Sequence, residues 1–164
     1  MQDIFIISTG GTFNKIYNKF SGNLEVDSTN LAIKSIQKEW LSNYRYRSII
    51  NKDSLDFTTK DREELLNFIK ELEYKKVVVI HGTDTIDITA KYLDGANLDK
   101  TIVLTGAMVP FSINKIEATA NLALAIGYAK LAKSGIYIAL NGVANIYTKV
   151  KKDKKKGLFR ELSL

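Results

Sequence analysis

The sequence predicts an α/β fold in which a mainly parallel, five-stranded sheet lies between two layers of helices. Three observations support this three-layer α/β/α arrangement. Short runs rich in β-branched residues recur along the 164-residue chain. Stretches with the apolar spacing of helices separate these runs, and small or polar residues follow each run. Strands that alternate with helices are typical of parallel sheets, because a helix is the usual crossover between parallel neighbours.

Five runs are the candidate strands, and the last three are the most apolar. In chain order they are "DIFIIS" (3–8), "YRSIIN" (46–51), "KVVVIHG" (76–82), "TIVLTGA" (101–107) and "GIYIALNG" (135–142). Nearly continuous apolar strands are buried on both faces of a parallel sheet, so we expect the last three to be central. The expected strand order is 2-1-3-4-5, as in flavodoxin-like or Rossmann-like sheets. Such sheets bind ligands beyond the carboxyl ends of their strands.

Four stretches are the candidate helices. They are residues 28–41, 59–74, 84–95 and 117–135. Thr58 and Asp61 have the spacing of a capping box before the second helix. The third and fourth helices are expected to end at Gly95 and Gly135, since glycine commonly follows the last helical residue.

The composition narrows the possible functions. Residues 1–164 suit one domain, and 45% hydrophobic with 26% charged residues is ordinary for a globular protein. Cysteine is absent and His81 is the only histidine, which excludes disulfides, thiolate nucleophiles and multi-histidine metal sites. We expect no cofactor. No apolar run approaches the roughly 18 residues of a membrane span, and Asp3 interrupts any signal peptide, so we expect a cytoplasmic protein without a membrane partner.

The positive charge is concentrated in one segment. The stretch "KVKKDKKK" (149–156) carries a net charge of +5, out of a formal +6 for the whole chain. Residues 149–157 are therefore expected to form a lysine-rich loop within the domain. Three interpretations stay open, namely a solvated loop, a nucleic-acid contact or a functional lysine. Because no aromatic residues or recognition motif accompany the lysines, we expect no nucleic-acid partner.

Polar motifs follow the first, third and fourth strands, and we expect them to converge at one edge of the sheet. They read "TGGT", "HGTDT" and "TGAM". Two adjacent glycines let a backbone approach a ligand closely, and their amides can donate to a developing oxyanion. Each motif also has a structural interpretation. Thr12 would be a turn residue, Thr83 or Asp84 would cap a helix, and His81 would be a buried, hydrogen-bonded side chain.

Taken together, the three motifs resemble those of the bacterial-type (type I/II) L-asparaginases. The resemblance covers essentially the whole chain, but only the N-terminal domain of that family. It looks closest to short, single-domain asparaginase-like proteins, through "GGTFNKIY" (10–17) and "KDSL" (52–55). The resemblance implies an amidohydrolase that converts L-asparagine to L-aspartate and ammonia, and a homo-oligomer.

The resemblance also implies roles for particular residues. Thr12 would be the nucleophile that attacks the amide carbonyl, and Tyr17 would accept or relay its proton. Thr83, Asp84 and a downstream lysine would form a second hydroxyl–base group. The substrate-binding residues would be Gly11, Ser54, Gly82, Thr83, Asp84 and Ala107.

Some choices stay open at this stage. Counted from Asn141-Gly142 to Gly157-x-Phe159, the resemblance implies Lys152 as the site lysine, with Lys151 as its nearest competitor. Leu55 stands where the family often has glutamine, Val109 where two-domain members usually have a long polar or basic residue, and Glu117 where Asp is usual. Two alternatives to L-asparagine hydrolysis therefore remain. One is an amidase for another small amide, such as glutamine. The other is a non-catalytic module that binds aspartate, asparagine or a related metabolite without a C-terminal domain.

Overall fold

The computed structural model describes residues 3–162, and a six-stranded sheet forms the centre of that part of the chain. The strands are β1 (Ile4–Gly10), β2 (Lys15–Asn18), β3 (Asn23–Val26), β4 (Arg45–Lys52), β5 (Lys76–Ile80), β6 (Thr101–Thr105), β7 (Gly135–Leu140), β8 (Val143–Ile146), β9 (Val150–Asp153) and β10 (Leu158–Glu161). The α-helices are α1 (Leu31–Trp40), α2 (Thr59–Glu71), α3 (Ile86–Asp94) and α4 (Lys115–Leu131). Three single-turn 3-10 helices are Thr12–Asn14, Ser54–Asp56 and Tyr147–Lys149.

The strand order of the main sheet is β4-β1-β5-β6-β7-β8. The first five strands are parallel, so the predicted fold class is confirmed and these five follow the predicted order. The expected count of five was one too few, because β8 adds an antiparallel sixth strand beside β7. Asn141 and Gly142 join the two strands with positive φ values of 53° and 78°. An Asn-Gly pair in this conformation is the preferred two-residue hairpin connection.

The two faces of the sheet bury separate hydrophobic layers. Alternate residues of β1 point to opposite faces, with Ile4 and Ile6 in one layer and Phe5 and Ile7 in the other. Residues of α1 and α4 complete the first layer, and residues of α2 and α3 complete the second. Full burial of a large apolar side chain contributes about 1.5–3 kcal/mol. This packing holds the carboxyl ends of the parallel strands at one edge.

The capping box at the start of α2 is confirmed. Thr58 Oγ1 accepts a hydrogen bond from the Asp61 backbone N–H at 3.3 Å, and Asp61 Oδ2 accepts one from the Thr58 N–H at 2.7 Å. Lys52 Nζ also lies 2.7 Å from Asp61 Oδ1. Burial alone would raise the pKa of the Asp61 carboxyl, but the bonds from Lys52 and Thr58 lower it to about 2. The carboxylate thus ties the end of β4 to α2.

Other local predictions need correction. The fourth helix ends at Leu131, and Gly135 is the first residue of β7 with a φ of 152°, so Gly135 does not end the helix. Residues 149–157, expected to be a loop, contain β9 and the turn that leads to β10. Val150 and Phe159 anchor this hairpin in the core at 4% and 3% exposure. The lysines of the hairpin therefore belong to an ordered β structure. Between residues 3 and 162, no helix is both long and apolar enough to cross a bilayer.

Candidate active site

Loops from four neighbouring strands meet at glycines on the carboxyl edge of the sheet. A Cβ atom placed on Gly11 would lie 2.5 Å from the Cα atom of Gly82. One placed on Gly82 would lie 2.6 Å from Ser54 Oγ, and one on Gly106 would collide with the His81 carbonyl oxygen. Only glycine permits such close backbone approach. The loops after β1, β4, β5 and β6 therefore come together at one place.

Lys152 reaches this place from the β9–β10 hairpin. Its Nζ atom donates to Thr83 Oγ1 at 2.9 Å and to Asp84 Oδ1 at 2.8 Å. The side chain of Lys152 is only 14% exposed, and that of Asp84 is 39% exposed. Lys151 is exposed and its side chain makes no hydrogen bond within residues 3–162. The N-cap of α3 is Thr85, so neither Thr83 nor Asp84 serves as the cap.

A cavity of about 460 Å³ lies beside the ammonium group of Lys152. Its lining includes Thr83, Asp84 and Lys152, together with residues of α3 and the apolar side chain of Phe159. This volume lies within the range of about 300–1,000 Å³ that is usual for small-molecule sites. Neither Thr12 nor Ser54 is among the residues that line this cavity.

The loop after β1 carries Thr12, whereas Tyr17 lies farther along the chain in the β2–β3 hairpin. Gly11 has a φ of 75°, and Thr12 follows it as the half-buried first residue of a 3-10 helix. The Gly11 N–H donates to the Lys52 carbonyl oxygen at 2.9 Å. Contrary to expectation, this amide is therefore not free to bind an oxyanion. Tyr17 lies in the β2–β3 hairpin with 65% exposure, and no hydrogen bond joins it to Thr12 in the part of the chain that the structure describes.

Ser54 and Ala107 occupy very different positions. Ser54 is 1% exposed and its Oγ atom lacks a hydrogen-bond partner among the described residues. Thr85 Oγ1 donates to the Ser54 carbonyl at 2.8 Å and holds that backbone in place. A buried hydroxyl without a partner is unfavourable, so a ligand that bonds to Ser54 would relieve a real deficit. Ala107 is 1% exposed and packs in the core.

His81 lies fully buried beneath the same loops. Its Nδ1 atom is 2.7 Å from the Gly82 carbonyl oxygen, and its Nε2 atom is 2.9 Å from Thr89 Oγ1. Arg62 Nε donates to the same Thr89 oxygen at 3.0 Å, so the Thr89 hydroxyl is free to donate to His81. Burial lowers the pKa of His81 to about 4, which keeps the ring neutral near pH 7. His81 thus supports the loop as a hydrogen-bonded core residue.

Sequence reasoning missed a second polar group at this edge of the sheet. Glu117 Oε1 accepts from the Met108 N–H at 2.9 Å, and Glu117 Oε2 accepts from the Val109 N–H at 3.0 Å. Asn121 and Asn141 extend this group across to β7. Glu117 and Asn141 are more than 20 positions apart in the sequence, and no local motif joins the three residues. The Asn-Gly turn at Asn141 was the available signal.

The fold and the site together define a Rossmann-like α/β protein with its candidate site at the carboxyl edge of a parallel sheet. A family model described as "Asparaginase, N-terminal" matches residues 3–158. The chain therefore belongs to the asparaginase family, and the resemblance noted from its motifs is confirmed.

Named relatives and solved structures agree with this assignment. The chain is 29% identical to an L-asparaginase from Thermococcus kodakarensis, over 94% of this chain and 49% of that protein. A solved structure of the thermostable L-asparaginase from that organism has a TM-score of 0.82 and 28% identity, covering 97% of this chain and 51% of that one. A probable cytoplasmic L-asparaginase from Campylobacter jejuni has a TM-score of 0.74 and 31% identity, covering 91% of this chain and 47% of that one. The chain thus spans about half the length of these relatives.

Proposed function

We propose that this chain is an asparaginase-like amidohydrolase that converts L-asparagine to L-aspartate and ammonia, with Thr12 as nucleophile. One observation carries the proposal. The Lys152 ammonium group bonds to both the Thr83 hydroxyl and the Asp84 carboxylate, beside the close contact of Gly11 with Gly82. A hydroxyl, a carboxylate and an ammonium group therefore lie next to the loop that presents Thr12. Membership of the asparaginase family supports the same reaction.

The proposed reaction has two stages. In the first, Thr12 Oγ attacks the carbonyl carbon of the side-chain amide, and the Tyr17 hydroxyl accepts the threonine proton while it passes its own proton to the amide nitrogen. The tetrahedral intermediate collapses, its C–N bond breaks, and the protonated nitrogen leaves as ammonia. The product is an acyl ester on Thr12. In the second stage, water attacks this ester with help from the Thr83–Asp84–Lys152 group, which releases L-aspartate and restores the threonine hydroxyl.

The remaining residues are proposed to hold the charged end of the substrate. Asp84 would pair with the α-ammonium group, because its carboxylate keeps 39% of its side-chain surface exposed beside Lys152. Ser54 would donate to the α-carboxylate through its unpartnered hydroxyl. Gly82 and Thr83 would complete this contact from the adjoining loop. Ala107 would line the amide side through its backbone.

Tyr17 can act in this scheme only when the β2–β3 hairpin closes over Thr12. The tyrosine is 65% exposed and its neighbour Phe20 is 89% exposed, so the hairpin has apolar surface to bury on closing. Burying such side chains is favourable by about 25 cal/mol per Å² of apolar area. We propose that substrate binding brings Tyr17 to Thr12 in this way.

The central experiment measures ammonia released from L-asparagine and from L-glutamine by the folded protein. Thr12→Ala should lower turnover by a factor of at least about 10³, because the nucleophile is lost. Asp84→Asn should raise KM and lower kcat. Thr59→Ala is the matched control, since Thr59 is an exposed threonine on α2. Unchanged turnover in a folded Thr12→Ala variant would exclude Thr12 as nucleophile.

Two other functions fit particular observations. Related proteins from Pseudomonas aeruginosa and Acinetobacter glutaminasificans are named glutaminase-asparaginase, at 25% and 26% identity, which favours a second amide substrate. Faster ammonia release from glutamine than from asparagine would establish it.

Leu55 is 71% exposed beside the buried Ser54, which places an apolar side chain near the proposed α-carboxylate site. Saturable binding of aspartate by calorimetry, without ammonia release, would instead identify a binding module.

We also propose that the chain forms a homo-oligomer. The outer face of α4 exposes apolar side chains, with Ile116 at 78% and Leu131 at 90% exposure. Such a helix face gains free energy when it packs against a second copy. Sedimentation showing only monomer at micromolar concentration would contradict this.

Cytoplasmic location also stays a prediction, because one relative is described as cytoplasmic and another, from Haemophilus influenzae, as periplasmic.

A further inference from the structure

Three polar side chains join the ends of β6 and β7 to the hairpin that carries Lys152. Glu117 accepts two backbone N–H groups of the loop after β6, as described above. Asn121 Nδ2 donates to the Gly106 carbonyl at 2.9 Å, and Asn121 Oδ1 accepts from the Asn141 N–H at 2.9 Å. Asn141 Nδ2 in turn donates to Glu117 Oε1 at 3.2 Å. The three residues therefore form one connected group at the edge of the sheet.

Asn141 is the member of this group that reaches the hairpin. Its Oδ1 atom accepts from the Phe159 backbone N–H in β10 at 3.1 Å. Asn141 thus bonds to Asn121 through its backbone, to Glu117 through its amide nitrogen and to Phe159 through its amide oxygen. Its φ of 53° is one that few residues other than glycine and asparagine adopt readily. Both its backbone and its side chain are therefore constrained.

The bond to Phe159 lies at the level of Lys152. In the β9–β10 hairpin, Phe159 is the direct cross-strand partner of Lys152. The Phe159 ring is buried, so this part of β10 is fixed on two sides, by its ring in the core and by its N–H on Asn141. A shift of β10 would carry Lys152 with it. The 2.8 Å and 2.9 Å bonds from Lys152 to Asp84 and Thr83 depend on that register.

We propose that Asn141 is a positioning residue, which holds the β9–β10 hairpin so that the Lys152 ammonium group stays on Thr83 and Asp84. In this role Asn141 acts through Lys152 and needs no contact with the substrate. The kinetic consequence rests on the proposed amidase function, but the structural consequence does not. Glu117 supports Asn141 from the opposite side by accepting from its amide nitrogen.

The first test needs no enzymatic activity. An amine-acylating reagent such as an N-hydroxysuccinimide ester is applied briefly, and mass spectrometry quantifies acylation at each lysine. Lys152 should react slowly in the unmodified protein, while Lys75, with 69% side-chain exposure, serves as the internal reference. In Asn141→Gly, which tolerates the positive φ but removes the amide, acylation of Lys152 should rise about threefold or more because the hairpin opens locally.

A matched control separates the side-chain bonds from the backbone change. Asn97 has a φ of 48° and is exposed, and its side chain makes no hydrogen bond within residues 3–162. Asn97→Gly should therefore leave Lys152 acylation unchanged. Glu117→Gln tests the same connection from its other end and should also raise acylation, by a smaller factor. If Asn141→Gly does not fold, the result for Glu117→Gln decides. Acylation of Lys152 at the original rate in the folded variants would overturn the proposal.

The second test uses turnover. Asn141→Gly should lower kcat about tenfold with KM within about twofold, since a displaced catalytic group affects the chemical step more than binding. In the Lys152→Met background, Asn141→Gly should cause almost no further loss, because residues that act through one another are not additive. Fully additive losses would show that Asn141 acts elsewhere. If no variant releases ammonia, the proposed function fails while the acylation test still decides the role of Asn141.

Discussion

The two halves of the candidate site differ in how completely the fold prepares them. On the lysine side, Lys152 bonds to Thr83 and Asp84 and is only 14% exposed. On the threonine side, Tyr17 is 65% exposed and, within the described residues, makes no hydrogen bond to Thr12. A preorganised group stabilises developing charge without further reorganisation, whereas an exposed one must first be ordered. The lysine side is therefore built by folding, and we propose that the threonine side is completed when substrate binds.

The largest expected effect comes from removing the cation of the lysine side. Lys152→Met keeps an unbranched stem of four heavy atoms but loses the ammonium group, which should lower kcat by about 10³-fold or more. The matched variant Lys151→Met, at the exposed neighbouring position, should change kcat by less than about twofold. Ammonia release under saturating L-asparagine measures both. Equal losses of kcat in the two variants would show that any positive charge in this segment suffices. That result would contradict a specific, preorganised role for Lys152.

The next effect should appear on the threonine side. Tyr17→Phe keeps the ring and removes the hydroxyl, so the hairpin should still close while proton transfer fails, at a cost of about 10²-fold in kcat. Phe20→Leu in the same hairpin leaves the hydroxyl of Tyr17 in place and should mainly alter KM. A Tyr17→Phe variant with unaltered kcat would exclude Tyr17 from proton transfer.

Acid should weaken the support beneath the lysine side. Because burial lowers the pKa of His81 from 6.5 to about 4, folding favours the neutral ring. The neutral His81 ring contributes fully to the free energy of unfolding above pH 6.5. This contribution is lost as the pH falls toward 4, since the unfolded chain binds a proton that the folded protein does not. The loss should be about 2–3 kcal/mol in the free energy of unfolding. Urea unfolding across this pH range measures it. His81 is the only histidine, so NMR can follow its titration directly, and a pKa near 6.5 would contradict the prediction.

The smallest effect concerns the anchor of the threonine side. Lys52 accepts the Gly11 N–H through its carbonyl oxygen and pairs with Asp61 through its ammonium group. Asp61→Asn should therefore lower the free energy of unfolding by about 1–2 kcal/mol at pH 7.

The same contribution has a defined pH dependence. The pKa of Asp61 is lowered from 3.8 to about 2, so the stability is present above pH 3.8 and is lost as the pH falls through about 2. Asp61→Asn should abolish that part of the acid dependence. The exposed Asp56→Asn serves as the control. Parallel acid profiles in all three proteins would contradict the assignment.

The parallel sheet could be predicted because its strands are buried on both faces and therefore appear as continuous β-branched runs. The hairpins could not be predicted in the same way. β9 carries lysines, and β2 and β3 are largely exposed. None of these three strands therefore has the apolar pattern from which a strand is recognised. β8 was missed although Asn141 and Gly142 carried a hairpin signal, because this four-residue strand is only partly buried and lacks a clear apolar pattern.

The site shows the same division between local and distant information. The family resemblance implied a lysine between Asn141 and Phe159 and placed it at Lys152, and in the structure its ammonium group bonds to Thr83 and Asp84. Two other features depend on residues that only the fold brings together. They are the hydrogen bond from the Gly11 N–H to the Lys52 carbonyl and the unpartnered hydroxyl of Ser54. No pattern within one segment contains that information.

The close contacts of Gly11, Gly82 and Gly106 at the carboxyl edge of the sheet restrict how this site can be altered by protein engineering. An added methyl group at Gly11 would press on Gly82, one at Gly82 on Ser54, and one at Gly106 on the carbonyl of His81. A change in one loop therefore demands room in the next, and single substitutions along this line should be rejected. A library aimed at new amide substrates would do better to vary the β2–β3 hairpin apart from Tyr17, since much of this hairpin is exposed and its side chains can change one at a time.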